Sequence, residues 1–122
     1  MLSKYEQTLL EGWEEVYKRG LLTLWILLSL KDGSKHMSQI KAFISELTNG
    51  LVEADDKSMY RALRRFDEAD VVSYTNQPSD SGPDHKVYSL TETGKRITKE
   101  FIDRNFGNIF YKPKFKQLIE ES

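Results

Sequence analysis

Two β-rich stretches stand next to each other in a chain whose other segments have helical patterns. Residues 71–77 and 85–90 alternate apolar and polar positions, as in Val72 and Tyr74 and then Tyr88 and Leu90. Such alternation is typical of strands that have one buried face. The segment between them contains the turn-forming residues Pro78, Asp80, Gly82 and Pro83. We therefore expect one antiparallel hairpin with a long tip, placed between helices.

Four helical segments precede this hairpin. The first is expected to end near Gly20. Its apolar residues recur at spacings of three and four, the mark of an amphipathic helix; these residues are Leu2, Tyr5, Leu9, Trp13 and Val16. Residues 21–30 are apolar on most faces and predict a central helix, with the stop at residues 31–33. Residues 38–47 predict a third helix, which Asn49 and Gly50 close because both accept a positive φ. Asp55 or Asp56 is expected to cap a fourth helix that runs to about Ala69.

The fourth helix has a basic face opposite its apolar one. At about 100° per residue, Met59, Leu63 and Phe66 point towards the core. Four cations and no acid occur from residue 57 to residue 65: Lys57, Arg61, Arg64 and Arg65. A charged helix face is often only a solvated surface, but this one is followed directly by a hairpin.

A fifth helix is predicted after the hairpin, capped by Thr91 and reaching about Asn105, with Ile97, Phe101 and Ile102 as its apolar stripe. Pro113 divides the remaining tail and allows a short terminal helix. The fold class is therefore mainly α with a two-stranded β-hairpin (α+β), arranged as a winged helix-turn-helix with an added N-terminal helix and a C-terminal helix. We divide the chain into an N-terminal extension (1–19), the winged helix (20–90) and a C-terminal helix and tail (91–122).

Composition restricts the function classes. The 18 basic and 19 acidic side chains give a net charge of −1, so any nucleic-acid surface must be local. With no cysteine and two histidines, a zinc site built from this chain alone is not expected, and no catalytic constellation or cofactor motif is visible. The longest apolar run is too short for a membrane span, so we expect no membrane association. We expect a cytoplasmic protein that is not an enzyme.

Two segments resemble a known family. The sequence MYRALRRFDEADVV followed by GPDHKVYSLTETG looks like the PadR family of winged-helix transcriptional regulators, and the similarity extends more weakly back to residue 21. The matching positions are Tyr60, Leu63, Gly82, Pro83, Lys86, Tyr88, Leu90, Thr91 and Gly94. The chain departs from the family pattern where Asp70 replaces a glycine, Phe66-Asp67 replaces Leu-Glu and His85 replaces an arginine.

The resemblance implies a dimeric repressor that binds double-stranded DNA at a palindromic operator. It also implies that the helix after the wing mediates dimerisation, so Ile97 and Phe101 are candidate interface residues, and Trp13 of the added helix is a third. Related regulators bind planar aromatic compounds at the dimer interface. Trp13, Trp25, Phe101 and Phe106 are candidates to line a pocket for such an effector, although core packing is the alternative for all four.

The DNA contacts can be assigned by position. Arg61 and Arg64 are expected in the groove, where a guanidinium can bond two acceptors of guanine. Lys57 and Ser58, in the first helical turn, are expected at phosphates, helped by the helix dipole. On the wing we expect a phosphate contact from Lys86 and assign His85 beside it to the same surface, although a surface histidine without a role is common. Tyr60 reaches a phosphate or packs against the wing, and Arg65 completes the basic set.

Two functions without DNA remain open at this point. A winged helix can serve protein–protein contact, because a fold does not fix a function. The second is a small-molecule binding protein without DNA affinity. Clustering of Lys57, Arg61, Arg64 and Arg65 favours DNA over both, because a protein-binding helix more often interleaves its cations with acids or apolar anchors.

Overall fold

The computed structural model describes residues 1–121 and consists of helices around a small antiparallel sheet. The helices before the sheet hairpin are α1 (Lys4–Gly20), α2 (Leu22–Asp32), α3 (Met37–Leu47) and α4 (Asp56–Glu68). The strands are β1 (Lys35–His36), β2 (Val72–Ser79) and β3 (Gly82–Leu90). The chain continues with α5 (Glu92–Ile102), a π-helical turn (Asp103–Gly107), α6 (Asn108–Phe110) and α7 (Pro113–Glu120). No helix in the described part is long and apolar enough to cross a membrane.

The core lies where α2, α3 and α4 meet the base of the sheet. Burial of apolar side chains is the main favourable term for a fold of this size. Each of the three helices contributes from one face, and the strands add Val72 and Tyr88. The helix contributions include Ile26, Leu27, Leu30, Ile40, Ile44, Met59 and Leu63. The predicted apolar arc of α4 is confirmed, since Met59 and Leu63 are fully buried.

The expected two-stranded sheet is wrong in one respect, because the sheet has three strands in the order β1-β3-β2. The added strand is two residues long, and it pairs Lys35 with Tyr88 and His36 with Val87. A two-residue strand has no periodicity that could be detected in the sequence. His36 is also the N-cap of α3, and its N–H donates to Gln39 Oε1 at 3.0 Å.

The hairpin tip is shorter than expected. β2 continues to Ser79 and β3 begins at Gly82, which leaves Asp80 and Ser81 as the turn. Pro78 does not end β2, because the register shifts between Gln77 and Ser79 and β2 is an edge strand. Proline is tolerated at such a place, where its missing N–H breaks no ladder hydrogen bond. The wing is therefore a long hairpin with a two-residue turn.

Helix boundaries follow the predicted caps closely. Asp55 is the N-cap of α4, and Thr91 is the N-cap of α5, with its hydroxyl accepting from Gly94 N–H at 2.9 Å. Asn49 and Gly50 have φ angles of 54° and 77°, as the turn after α3 requires. Asp70 has φ 59°, which explains why the related pattern has glycine there.

The helix expected up to about residue 105 is continuous in the structure, but it changes from an α-helix to a π-helical turn after Ile102. The backbone remains helical through the π-helical turn into α6, and four phenylalanines along this segment contact one another in sequence. Phe101 meets Phe106 at 5.7 Å, Phe106 meets Phe110 at 5.6 Å and Phe110 meets Phe115 at 4.8 Å between ring centroids. The ring contacts form a row from α5 to α7. The short helix predicted after Pro113 is confirmed as α7.

Lys35 joins the end of α2 to α3. Its side chain is only 13% exposed. Its Nζ donates to Ser29 O at 2.5 Å, Asp32 Oδ2 at 2.9 Å and Gly33 O at 3.2 Å, and it lies 4.8 Å from the centroid of the Phe43 ring. The last carbonyls of a helix have no partners within it. The ammonium supplies a partner for one of these carbonyls, that of Ser29, and for the C-cap carbonyl of Gly33.

We expect Lys35→Met to lower the free energy of unfolding by about 2 kcal/mol, because it leaves partly buried carbonyl groups without a donor. Urea unfolding followed by circular dichroism measures this change. Lys114→Met, at an exposed position of α7, is the matched control and should unfold at the wild-type midpoint. Equal stabilities of the two variants would contradict the structural role of Lys35.

Candidate nucleic-acid interface

The basic side chains of α4 lie on an exposed face of the winged helix. Lys57, Arg61, Arg64 and Arg65 are all exposed, as predicted from the helical wheel. Arg64 is paired with Glu68 at 3.4 Å, and both side chains are largely exposed. A surface pair of this kind contributes at most about 1 kcal/mol, so it does not prevent Arg64 from binding elsewhere.

The wing and α4 form a cleft of about 340 Å³ that brings together three of the predicted DNA-binding residues. Tyr60 and Arg64 line it from α4, and Lys86 lines it from β3. Tyr74, on β2, forms part of the same cleft, and the Nζ of Lys86 lies 4.6 Å from the centroid of its ring. A cation over an aromatic ring is held by the negative face of the ring. Tyr74 therefore positions the wing lysine beside the basic helix.

A smaller adjoining cleft of about 230 Å³ places the fourth predicted residue, His85, near the same helix. Tyr60 and Lys86 line this cleft too, so the two clefts share one edge. The ring of His85 is stacked on that of His36, with centroids 4.5 Å apart and planes 16° apart. This stack connects the wing to the start of α3. Tyr60 is 59% exposed and lines both clefts beside the wing, so a phosphate contact and packing against the wing both stay predictions.

The first turn of α4 is more acidic than the wheel alone indicated. Ser58 is bound to Asp55, with N–H to Oδ1 at 2.8 Å and Oγ to Oδ2 at 2.9 Å. The Ser58 backbone N–H lowers the pKa of Asp55, so this carboxylate remains charged at neutral pH. The Ser58 hydroxyl is thus already used in capping the helix. Lys57 is exposed between Asp56 and Ser58 and has no such bond to them in the described structure.

Lys41 of α3 offsets part of this acidity. Its Nζ donates to Asp56 Oδ1 at 2.6 Å, and this hydrogen bond raises the pKa of Lys41. The pair ties α3 to the start of α4, the two helices of the helix-turn-helix. Sequence reasoning did not find it, because the two residues lie fifteen positions apart with a turn between them.

Two further residues that support the wing, Tyr74 and His36, were not recognised from the sequence. Tyr74 lies directly opposite Tyr88 in the β2–β3 register, and the two rings contact at 5.8 Å. Burial raises the pKa of the Tyr88 hydroxyl, which therefore stays neutral at the base of the wing. The alternation of β2 contained the signal for Tyr74. His36 gave no comparable signal, because its contact with His85 depends on β1.

The three predicted dimerisation residues differ in exposure. Trp13 is 69% exposed and Ile97 is 49% exposed. Phe101 is partly buried against the chain's own core and contacts Phe106. The candidate effector residues Trp25 and Phe106 are also partly buried, and Trp25 packs on the core. Trp13 thus has most of its surface available, whereas the other three aromatic residues pack at least partly within the chain.

Comparison with known proteins identifies the family of this fold. The family model described as the transcriptional regulator PadR-like family matches residues 26–100. No curated protein matches the chain in a sequence comparison.

Three solved structures illustrate the likeness. A PadR-like transcription factor from Bacteroides fragilis has 24% identity and a TM-score of 0.61, over 90% of this chain and 94% of that one. A transcriptional regulator from Clostridium thermocellum has 20% identity and a TM-score of 0.64, over 77% and 96%. Bacillus subtilis PadR in complex with operator DNA has 20% identity and a TM-score of 0.61, over 67% of this chain and 46% of that one. The chain has the winged-helix fold and belongs to the PadR-like family of transcriptional regulators.

Proposed function

We propose that this chain binds DNA sequence-specifically as a dimeric repressor and that a small molecule relieves the repression. The observation that carries this proposal is the exposed basic face of α4, which has the wing directly beside it. Arg64 and Lys86 line the cleft between α4 and the wing, together with the acids Asp67 and Glu68. A helix with a neighbouring wing can read a groove while the wing contacts the backbone. The operator complex of the B. subtilis relative supports the same use of this fold.

Each basic residue has a proposed role. Arg61 and Arg64 read base edges in the major groove, whereas Lys57, Lys86 and His85 contact phosphates. Tyr60, exposed on the edge of α4, donates its hydroxyl to a phosphate. Arg65 adds positive charge to the flank. Ser58 contributes its hydroxyl only if the bond to Asp55 is exchanged, so we rank it below the others.

Dimerisation is proposed to use the helices outside the winged helix. The proposed units are residues 1–19, 20–90 and 91–122, with the first and last facing a second copy. α1 has no buried residue, and its apolar face includes the exposed Trp13. Ile97 projects from α5 four residues before Phe101. The effector we propose is a planar aromatic molecule that contacts Trp13 at this interface.

Ile97→Glu is expected to weaken the dimer by at least about tenfold in Kd, because a charge would be buried at the interface. Sedimentation equilibrium over a range of protein concentrations measures this. Ile97 is a better site than Phe101, since half of its side chain is exposed and its replacement should spare the monomer fold. Leu47→Glu, at an equally exposed position of α3, is the control and should leave the Kd unchanged. A dimer as tight as the wild type would refute the role of Ile97.

DNA binding is tested by fluorescence anisotropy with the region upstream of the chain's own coding sequence, against a scrambled duplex, at several salt concentrations. We expect tighter binding to the upstream fragment and a steep loss of affinity with salt, because phosphate contacts release counterions. No binding to any duplex at low salt would contradict the proposal. It would favour the alternative of a winged helix that contacts proteins, for which the exposed apolar face of α1 is the supporting feature.

A further inference from the structure

The last turn of α4 ends the basic face of this helix with acidic side chains. Asp67 and Glu68 come just after the run from Lys57 to Arg65, which contains no acid, and both are exposed. The partial negative charge at the C-terminal end of a helix favours cations in the last turn and disfavours acids. The stability of α4 therefore does not explain why acids stand at this end.

Glu68 is paired with Arg64, one of the two arginines proposed to read base edges. Its Oε1 lies 3.4 Å from Arg64 Nε, and the cation stands four residues nearer the N-terminus. This order of charges is less favourable for a helix than the reverse order. The side chains of Arg64 and Glu68 are 83% and 68% exposed, and both line the cleft between α4 and the wing. The pair therefore adds little to stability and can exchange partners.

The acids at the other end of α4 differ from Glu68, because they have structural roles. Asp55 is the N-cap and accepts from Ser58 N–H at 2.8 Å. Asp56 accepts from Lys41 Nζ at 2.6 Å and ties α4 to α3. Both positions also suit the partial positive charge at the start of a helix. Glu68 has neither a capping role nor a tie to another helix among the printed contacts of α4, and its charge faces the cleft beside the wing.

Pairing with Glu68 changes what Arg64 contributes on different DNA sequences. On an operator, a guanine in register with Arg64 offers the two acceptors N7 and O6, which replace the carboxylate. On other DNA no base acceptor replaces it, so Arg64 stays with Glu68 and the pair presents no net charge to the phosphates. Affinity for such DNA depends on how many phosphates the cations neutralise. The pair therefore weakens binding to other DNA more than binding to the operator.

We propose that Glu68 is a specificity-determining residue, which lowers the affinity for DNA other than the operator by competing for Arg64. Specificity is a difference between two affinities and is raised by weakening the wrong complex. Glu68 acts through the guanidinium of Arg64 and through repulsion of any phosphate that approaches the cleft. The inference rests on the DNA binding proposed above and adds to it a residue that contacts no base.

Glu68→Gln tests this role, because it removes the charge and keeps the length and polarity of the side chain. Fluorescence anisotropy with the upstream fragment and with a scrambled duplex, at several salt concentrations, measures both affinities. Affinity for the scrambled duplex should rise by about three- to tenfold, and its salt slope should become steeper by about one, as for one more phosphate contact. Affinity for the upstream fragment should rise less, so the preference for that fragment should fall.

Glu100→Gln is the matched control. Glu100 forms an exposed pair with Arg104 four residues away, at 2.8 Å, on α5 and outside both clefts beside the wing. This variant should leave both affinities unchanged. Glu68→Gln should also melt at or above the wild-type temperature, because it removes an acid from the C-terminal end of a helix. A gain in affinity with an unchanged melting temperature separates the proposed role from an effect on folding.

Two results would overturn the inference: a Glu68→Gln variant that binds the scrambled duplex no more tightly than the wild type, or an equal gain in affinity for Glu100→Gln. Neither result requires that the operator be known, since the scrambled duplex alone decides it. Failure of the proposed DNA binding would give a different result. In that case neither the wild type nor Glu68→Gln would bind any duplex at low salt.

Discussion

Gly94→Ala is expected to lower the free energy of unfolding by on the order of 3 kcal/mol or more, because the added methyl group cannot be accommodated. An ideal Cβ on Gly94 would lie 2.0 Å from the carbonyl oxygen of Val71 and 3.4 Å from Leu90 Cδ2. Non-bonded carbon and oxygen atoms do not approach so closely. The first turn of α5 would therefore have to move away from the start of β2.

The surrounding hydrogen bonds oppose that movement. Val71 O accepts from Thr91 N–H at 3.1 Å, and the Thr91 hydroxyl donates to Asp70 O at 2.6 Å. The same hydroxyl accepts from Gly94 N–H. Any shift that relieves the clash therefore weakens the cap of α5 and its attachment to the strand. The obstacle is backbone rather than a flexible side chain, so repacking cannot remove it.

Gly12→Ala provides the matched control. Gly12 lies in the interior of α1, and nothing would approach within 4 Å of its Cβ. Alanine is the better helix former, so this variant should be unchanged or more stable by up to about 1 kcal/mol. Chemical unfolding of both variants measures the contrast. Equal unfolding midpoints for Gly94→Ala and Gly12→Ala would show that α5 does not pack as closely on the β2 start as described.

The elements that sequence reasoning found are those with a periodic or capping signal. α4 could be predicted because its apolar arc and its Asp55 cap are both local in sequence, and α5 because Thr91 precedes it. The winged arrangement followed from the order of those elements. The family resemblance and the structure both give this winged arrangement. Composition did not contribute to the prediction, because a protein net charge of −1 does not indicate DNA binding.

What could not be predicted depends on contacts between residues far apart in the chain. β1 exists because Lys35 and His36 pair with β3 about fifty residues later, and two residues have no periodicity. The predicted length of the hairpin tip was too large because a proline usually ends a strand, whereas Pro78 lies at an irregularity of the edge strand. The stack of His36 on His85 follows from both pairings and from no local pattern.

The second large effect concerns DNA. Arg61→Ala is expected to lower the preference for the operator over a scrambled duplex by about 5- to 150-fold, which corresponds to the roughly 1–3 kcal/mol of a bidentate contact to a base. Lys86→Gln is expected instead to weaken binding to both duplexes equally and to reduce the salt slope by about one. The two variants differ because Arg61 lies on the helix and Lys86 lies on the wing. Anisotropy titrations with both duplexes at several salt concentrations measure both effects.

Tyr74 allows the wing contact to be tested without changing a charge. Tyr74→Phe keeps the ring whose centroid lies 4.6 Å from Lys86 Nζ, so this variant should bind DNA like the wild type. Tyr74→Leu removes the cation–π contact. It should weaken binding to both duplexes, as Lys86→Gln does, but by a smaller factor. Lys114→Gln, on α7, is the control for a lost surface charge.

If Arg61→Ala lowered affinity for both duplexes equally, Arg61 would be a phosphate contact. If Lys86→Gln and Lys114→Gln behaved alike, the wing would lie outside the interface, and the cleft between α4 and the wing would no longer support the proposed mode of binding.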